Sequence, residues 1–185
     1  MRNILKNRLA LSTVVTTLII LVVSVLLAGV VTYFAINVTS TRVQEEDLAL
    51  TKQHVWYATG GTTQAAIMVI NTGGRDVVVQ KLTVRGQEAD WGNVVYGVTT
   101  SSVPDDISCN TTVVAGAYTI GSVHLTLADA TTDLTLQSGK TLILFIDTPD
   151  SITINDIGLT VSVTLYTAQA MYYREANVQA YSPVA

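Results

Sequence analysis

Cysteine is almost absent from the chain: Cys109 stands alone among 185 residues. An intramolecular disulfide is therefore excluded, and so is a thiolate cluster for zinc or an iron–sulfur centre. Charge is scarce as well. Only 13% of residues are Asp, Glu, Lys or Arg, which excludes a long solvated or disordered tail. Basic charge is scarcest where a nucleic acid would need it. From Lys52 onward six Lys/Arg face eleven Asp/Glu, a net charge of −5, so nothing offers a phosphate-neutralising patch and no nucleic-acid partner is expected. There is no G-x-G-x-x-G, P-loop or HExxH motif. His54 and His124 lie seventy residues apart, and a metal site needs three or four convergent ligands. Asp105, Asp106, Asp147, Asp150 and Asp156 are oxygen donors whose spacing fits no calcium loop and suits turn capping. Cys109 has no neighbouring base, so an inert thiol is expected. Trp56, Trp91 and the tyrosines read as core and sheet residues. No enzyme activity, metal or cofactor is expected.

What is present begins with Leu9–Ile36, a run of 28 residues without one charge. It accounts for most of the positive mean hydropathy of the chain, +0.42. Arg2, Lys6 and Arg8 precede it with no acid among them. The positive-inside rule keeps that head in the cytoplasm and sends the C-terminal part outward. A secretory signal has an apolar core of about 7–15 residues and an A-x-A-like cleavage site. This run is about twice as long and lacks such a site, so the segment is expected to be retained. About 20 apolar residues span a bilayer, and a plain membrane anchor is one reading. Ser12, Thr13, Thr16, Thr17, Ser24, Gly29 and Thr32 interrupt the run with spacings of three and four, as on helices that approach one another closely. Helix association is the second reading. Tyr33 and Phe34 lie near the outer boundary, where aromatics commonly sit.

Residues 37–52 carry Val43, Leu48 and Leu50 among Arg42, Glu45, Glu46, Asp47 and Lys52. They are expected to extend the helix to about Leu50, loosened near residues 37–40, where Ser and Thr compete for backbone bonds. A helix over residues 11–50 is roughly 60 Å long and outreaches a hydrocarbon core of about 30 Å.

From Gln53 the period changes from 3.6 to 2. Segments 54–59, 64–71, 76–85, 93–99, 118–126, 141–147, 159–167 and 172–181 are rich in Val, Ile, Thr and Tyr and read as strands. Turns are expected at 71–75, 86–90 and 148–151, the first because glycine accepts positive φ. Residues 100–117 are expected to form a long exposed loop, and Tyr173 and Val178 of the last strand to face the core. Eight short strands predict an immunoglobulin-like antiparallel β-sandwich. The fold class is thus α+β: a long N-terminal hydrophobic α-helix followed by that sandwich.

The stretch Lys6-Asn7-Arg8-Leu9-Ala10-Leu11-Ser12-Thr13-Val14-Val15, with the apolar run behind it, resembles the class III signal and helix of archaeal type IV pilins, a family that includes archaellins. The resemblance implies cleavage on the cytoplasmic side by a prepilin peptidase, either between Ala10 and Leu11 or between Arg8 and Leu9. Leu9 separates Ala10 from Arg8, where the family usually has Gly or Ala directly after a basic residue. Bacterial type IV pilins carry a carboxylate about five residues into the mature helix, whereas the first acid here is Glu45, which favours the archaeal branch. The division implied is a signal over 1–10, a transmembrane and filament-core helix over 11–52 and an extracellular β domain over 53–185. Ser12, Thr13, Val15, Thr16, Leu18, Ile19, Val22, Val25, Leu26, Gly29, Val30 and Tyr33 would then pack against identical subunits. The pilus assembly machinery and, before assembly, the cytoplasmic membrane are the further partners implied. The resemblance also implies a surface filament with its β domains outside, making adhesive contacts. Asn37-Val-Thr39 and Asn110-Thr-Thr112 fit the N-glycosylation acceptor pattern, usable if exported. The competing reading is a monomeric, membrane-anchored extracellular β-sandwich that binds a ligand.

Overall fold

The computed structural model describes residues 8–43, 45–110 and 113–182. The chain divides into two compact units, residues 1–43 and 44–185. The described residues of the first form one helix, α1 (Arg8–Val43, 36 residues). The second is an eleven-stranded mixed sheet. Its strands in chain order are β1 (Leu48–Ala58), β2 (Thr63–Asn71), β3 (Val77–Val84), β4 (Gln87–Glu88), β5 (Val94–Thr99), β6 (Gly116–Ile120), β7 (Val123–Asp129), β8 (Leu134–Leu136), β9 (Thr141–Asp147), β10 (Thr160–Thr167) and β11 (Met171–Tyr181). The lateral order is β4-β3-β10-β11-β1-β2-β9-β5-β7-β6, with β8 also paired to β3. Neighbours are antiparallel except β1 and β11, which run parallel from Val55↔Val178 to Ala58↔Tyr181. The expected purely antiparallel arrangement is thus corrected: the first and last strands lie side by side at the centre.

Alternation builds two cores on this sheet. Val55 of β1, Ile67 and Val69 of β2, and Leu142, Leu144 and Ile146 of β9 point to one face. Val77 and Val79 of β3, and Val163 and Leu165 of β10, join them in the same cluster. Strands from distant parts of the lateral order therefore enclose one apolar interior. The opposite face gathers Trp56, Ala66, Met68, Ile143 and Phe145 with residues of β6 and β7. β2 and β9 bury both faces, which explains their nearly unbroken apolar sequences.

Four expectations are overturned. The helix does not reach Leu50: it ends at Val43, and Leu48 and Leu50 enter the first core as alternate residues of β1. Three successive acids, Glu45, Glu46 and Asp47, follow the C-terminus, where the helix dipole disfavours negative charge. Residues 118–126 are not one strand but the hairpin β6–β7. Ile120 pairs with Val123 across Gly121 and Ser122, and Gly121 at φ 58 supplies the left-handed first turn position. Tyr173 is exposed, and Tyr172 packs on the core in its place. Residues 100–110 and 113–115 are not an exposed loop, because Val103, Ile107, Cys109 and Val113 are buried in the second core.

Candidate functional site

α1 is rich in Val and Thr, which are mediocre helix formers in water. An apolar medium changes that balance, because a helix satisfies every interior backbone group by itself. Six of its hydroxyls are satisfied by the same backbone. Thr16 Oγ1 donates to the Ser12 carbonyl at 2.9 Å, Ser24 Oγ to Ile20 at 2.7 Å and Thr32 Oγ1 to Ala28 at 2.8 Å. Thr17 Oγ1 reaches the Val14 carbonyl at 2.9 Å. Ser40 and Thr41 both donate to the Asn37 carbonyl, and the helix continues unbroken through 37–40 rather than loosening there.

The twelve residues Ser12, Thr13, Val15, Thr16, Leu18, Ile19, Val22, Val25, Leu26, Gly29, Val30 and Tyr33 all lie exposed on α1. So do Val14, Ile20, Leu21, Val23, Leu27 and Val31, so the apolar surface encircles the helix instead of forming a stripe. A Cβ at Gly29 would meet nothing, leaving a notch in that surface. Ser12–Thr41 is long and apolar enough to cross a membrane, a property that an anchor shares with a signal sequence. At about 1.5 Å per residue the 36 residues of α1 span about 54 Å. Both candidate cleavage bonds, Arg8–Leu9 and Ala10–Leu11, fall in its first turn. Arg2 and Lys6 lie outside the described residues, as do Thr111 and Thr112 of the second glycosylation pattern. Asn37 is exposed on the helix, and Asn110 is half-buried on the β domain.

Only residues 44–47 separate α1 from β1, and 45–47 are fastened to the β domain. The Asp47 carbonyl accepts from the Thr72 and Gly73 amides at 3.0 Å, and the Glu45 carbonyl from Gly74 at 3.3 Å. Thr72 Oγ1 donates to Asp47 Oδ2 at 2.7 Å, and Thr167 Oγ1 to Glu46 Oε1 at 2.5 Å. A Cβ on Gly73 would lie 2.6 Å from the Glu45 carbonyl oxygen and 2.7 Å from the Asp47 nitrogen. The glycine of the 71–75 turn is thus required by close backbone approach and not by a positive φ.

Residues 100–110 lie over the second core as a strap, pinned by polar side chains of β1 and β2. Lys52 Nζ donates to the Val103 carbonyl at 2.5 Å and also to the Asp105 carbonyl. Lys52 sits at φ 53, where β1 bulges against β2. His54 Nε2 contacts Asp106 Oδ1 at 2.9 Å while its ring stacks on Trp56 at 5.1 Å. Partial burial raises the Asp106 pKa, but the His54 contact, the Ile107 amide and the Lys52 charge outweigh it and hold the carboxyl below its ordinary value. Gln64 grips Asn110 twice, donating to its carbonyl at 2.6 Å and accepting from its amide at 2.9 Å. The same Nε2 donates to Asp147 Oδ1 at 2.7 Å. Sequence reading missed Lys52 and Gln64. The apolar spacing Val103, Ile107, Cys109, Val113 was the available signal that something must hold this stretch down.

Burial, with the Asp147 charge nearby, pushes the Cys109 thiol up to about 11. Only the thiolate reacts with alkylating agents. Native protein at pH 8 is therefore expected to resist iodoacetamide and to take up one label per chain after unfolding. Mass spectrometry of pulse-labelled samples measures this.

At the end of the β domain away from residues 45–47, a cavity of about 80 Å³ lies between β4 and the β9–β10 connection. Glu88, Asp90, Asp147 and Asp150 line it. Among the described residues no three His, Cys, Asp or Glu side chains gather as a metal-binding group. Beside it the buried Asp156 accepts from the Thr153 amide at 2.7 Å, from Thr153 Oγ1 at 2.8 Å and from Arg85 Nη1 at 2.7 Å. The Thr153 bonds, helped by Arg85, hold its carboxyl below the ordinary value. A lowered native pKa means stability that is present above about pH 4, the ordinary carboxylate value, and lost as pH falls through the native one. Asp156→Asn is expected to melt lower than the parent at pH 7, with the difference narrowing toward pH 3. Thermal melts across that range test the sign.

No protein-family description matches the sequence, and no curated protein matches it. Three solved structures show distant likenesses. A family 123 glycoside hydrolase from Clostridium perfringens matches at 10% identity and TM-score 0.34, covering 76% of this chain and 28% of the hydrolase. The ligand-binding region of serine-glutamate repeat protein A from Enterococcus faecium matches at 12% identity and TM-score 0.30, covering 75% of this chain and 100% of that one. Spo0M, a sporulation control protein from Bacillus subtilis, matches at 13% identity and TM-score 0.28, covering 74% and 49%. The chain thus spans about a quarter of the hydrolase and half of the sporulation protein. At these TM-scores the likenesses carry no argument about function.

Proposed function

We propose that the chain is the structural subunit of an archaeal type IV pilus-like surface filament. The observation that carries this reading is α1: it is apolar around its whole circumference, six of its hydroxyls are satisfied by its own backbone, and it leads into β1 after only four residues. Such a surface needs an apolar environment along most of about 54 Å, more than the roughly 30 Å that a bilayer's hydrocarbon core supplies. Lipid covers part of it before assembly, and copies of α1 cover it afterwards. Cleavage at Ala10–Leu11 or Arg8–Leu9 removes Arg2, Lys6 and Arg8, whose charges are costly to bury without partners. Bundling then buries Val, Leu and Ile at about 25 cal/mol per Å² of apolar area. With those six hydroxyls turned onto their own backbone, shape carries most of the contact between helices. A head-to-tail contact that never closes generates a helical filament.

The β domain, read as an immunoglobulin-like sandwich, forms the outer sheath. The interior shared by β3, β10, β2 and β9 supports that reading. Glycans at Asn110 or Asn37 and adhesive contacts belong to the same proposal. Electron microscopy of purified surface filaments, with peptide identification of their subunit, tests it. Filaments containing peptides of α1 and the β domain are expected; finding the protein only as a dispersed membrane component favours a monomeric anchored binding module instead.

A further inference from the structure

The sheet topology places the strand entered from α1 where it is hardest to pull out. β1 is paired on both sides, with β2 antiparallel and β11 parallel. Along Val55–Tyr57 both partners engage the same residues, Val55 facing Ala65 and Val178, Trp56 facing Gln64 and Gln179, and Tyr57 facing Thr63 and Ala180. Val55 and Val178 are also buried together in the first core. The beginning of β1 lies at the end of the domain holding the 71–75 turn. Ser182, following β11, lies at the opposite end, where the Thr59 amide donates to the Tyr181 carbonyl. A pull that enters at residue 45 and is resisted at the far end thus runs along the axes of β1 and β11. It slides two parallel neighbours past each other, so their cross-strand hydrogen bonds, which lie across the load, must fail together. A pull that opens β1 from β2 at their shared end meets those bonds one pair at a time. The fastening of 45–47 onto Thr72, Gly73 and Gly74 closes that shared end.

We infer that the β domain is a load-bearing module in which the parallel β1–β11 pair, seated between β2 and β10, is a shear clamp against tension delivered through α1. The inference rests on α1 being the held end of the chain, which a filament helix and a membrane anchor both satisfy. It therefore stands or falls separately from filament assembly. Forced opening reports the height of the unfolding barrier and not the equilibrium stability, so two pulling directions on one fold isolate the effect of geometry.

The test is single-molecule force spectroscopy on the full chain in detergent micelles, with handles on engineered cysteines. One pair, Glu45→Cys with Ser182→Cys, loads the clamp along the strands. The other, Glu45→Cys with Arg75→Cys, peels β1 from β2 at their shared end. Handles are attached to the native protein at pH 7, where Cys109 is closed to reagents, and matched melting temperatures establish that both variants hold the same fold. The axial pull is expected to open the domain at a several-fold higher force than the peeling pull at the same loading rate. Equal forces, or a lower axial force, would overturn the inference.

Discussion

Removing residues 1–43 is expected to move the protein completely from the membrane fraction to the soluble fraction while leaving the melting transition of the β domain unchanged. The two compact units divide at Val43, and both apolar clusters lie within residues 48–178. Among the described residues, neither cluster includes a member of α1. A milder variant separates the helix's apolarity from its mere presence. An arginine at the centre of a membrane helix costs about 2.5–3.5 kcal/mol on insertion scales, and Val22→Arg puts that charge in the middle of the uncharged run. Its expected outcome is a folded β domain that enters neither membrane nor filament efficiently. Fractionation together with circular-dichroism melts distinguishes this from misfolding. A variant that fractionates as the parent does would show that residues outside α1 hold the protein at the membrane.

Phe145→Ala carries the second large effect. The phenylalanine sits fully buried on β9, with Tyr118 edge-on at 5.3 Å and Trp56, Met68 and Ile143 in the same cluster. Truncating a buried phenylalanine costs about 3–5 kcal/mol in lost burial and residual cavity. For a domain of this size that is a fall in melting temperature on the order of 10–20 °C. The loss falls on the face covered by the strap, so the strap is expected to open first. Cys109 then becomes a built-in reporter: in Phe145→Ala it should alkylate at pH 8 well below the melting temperature. Labelling that appears only with global unfolding would show that the strap and the sheet open as one unit.

The parts of the fold that were legible in the sequence are those encoded locally. Thr141–Asp147 matches β9 because seven mostly apolar residues lie between turn signals, and Gln64–Asn71 nearly matches β2 for the same reason. α1 declared itself through the absence of charge. The parts that were not legible depend on partners distant in the chain. Leu48 and Leu50 fit a helix or a strand equally well until the core that receives them is known. Gly121-Ser122 is a minimal turn inside an unbroken β-forming stretch, so the two strands of the β6–β7 hairpin read as one. Val103, Ile107, Cys109 and Val113 share one parity, but Asp105 and Thr111 break the alternation, and Lys52, His54 and Gln64 fasten the stretch to the sheet. The parallel pairing of β1 with β11 joins residues more than a hundred positions apart, which no local pattern records. For the candidate site, the twelve helix positions are exposed along with every other described side chain of α1, and no preferred face separates them from the rest. The helix is apolar on every side, so its packing surface is chosen by its neighbours.

In the proposed filament subunit α1 is kept after export while the basic head in front of it is removed. Mass spectrometry of the mature N-terminus, on protein recovered from the cell surface, tests this most directly. The predicted result is a chain beginning at Leu11, or at Leu9 for the alternative bond, with the rest of α1 intact. Surface protein that uniformly retains Met1–Arg8, or that begins beyond α1, would contradict it.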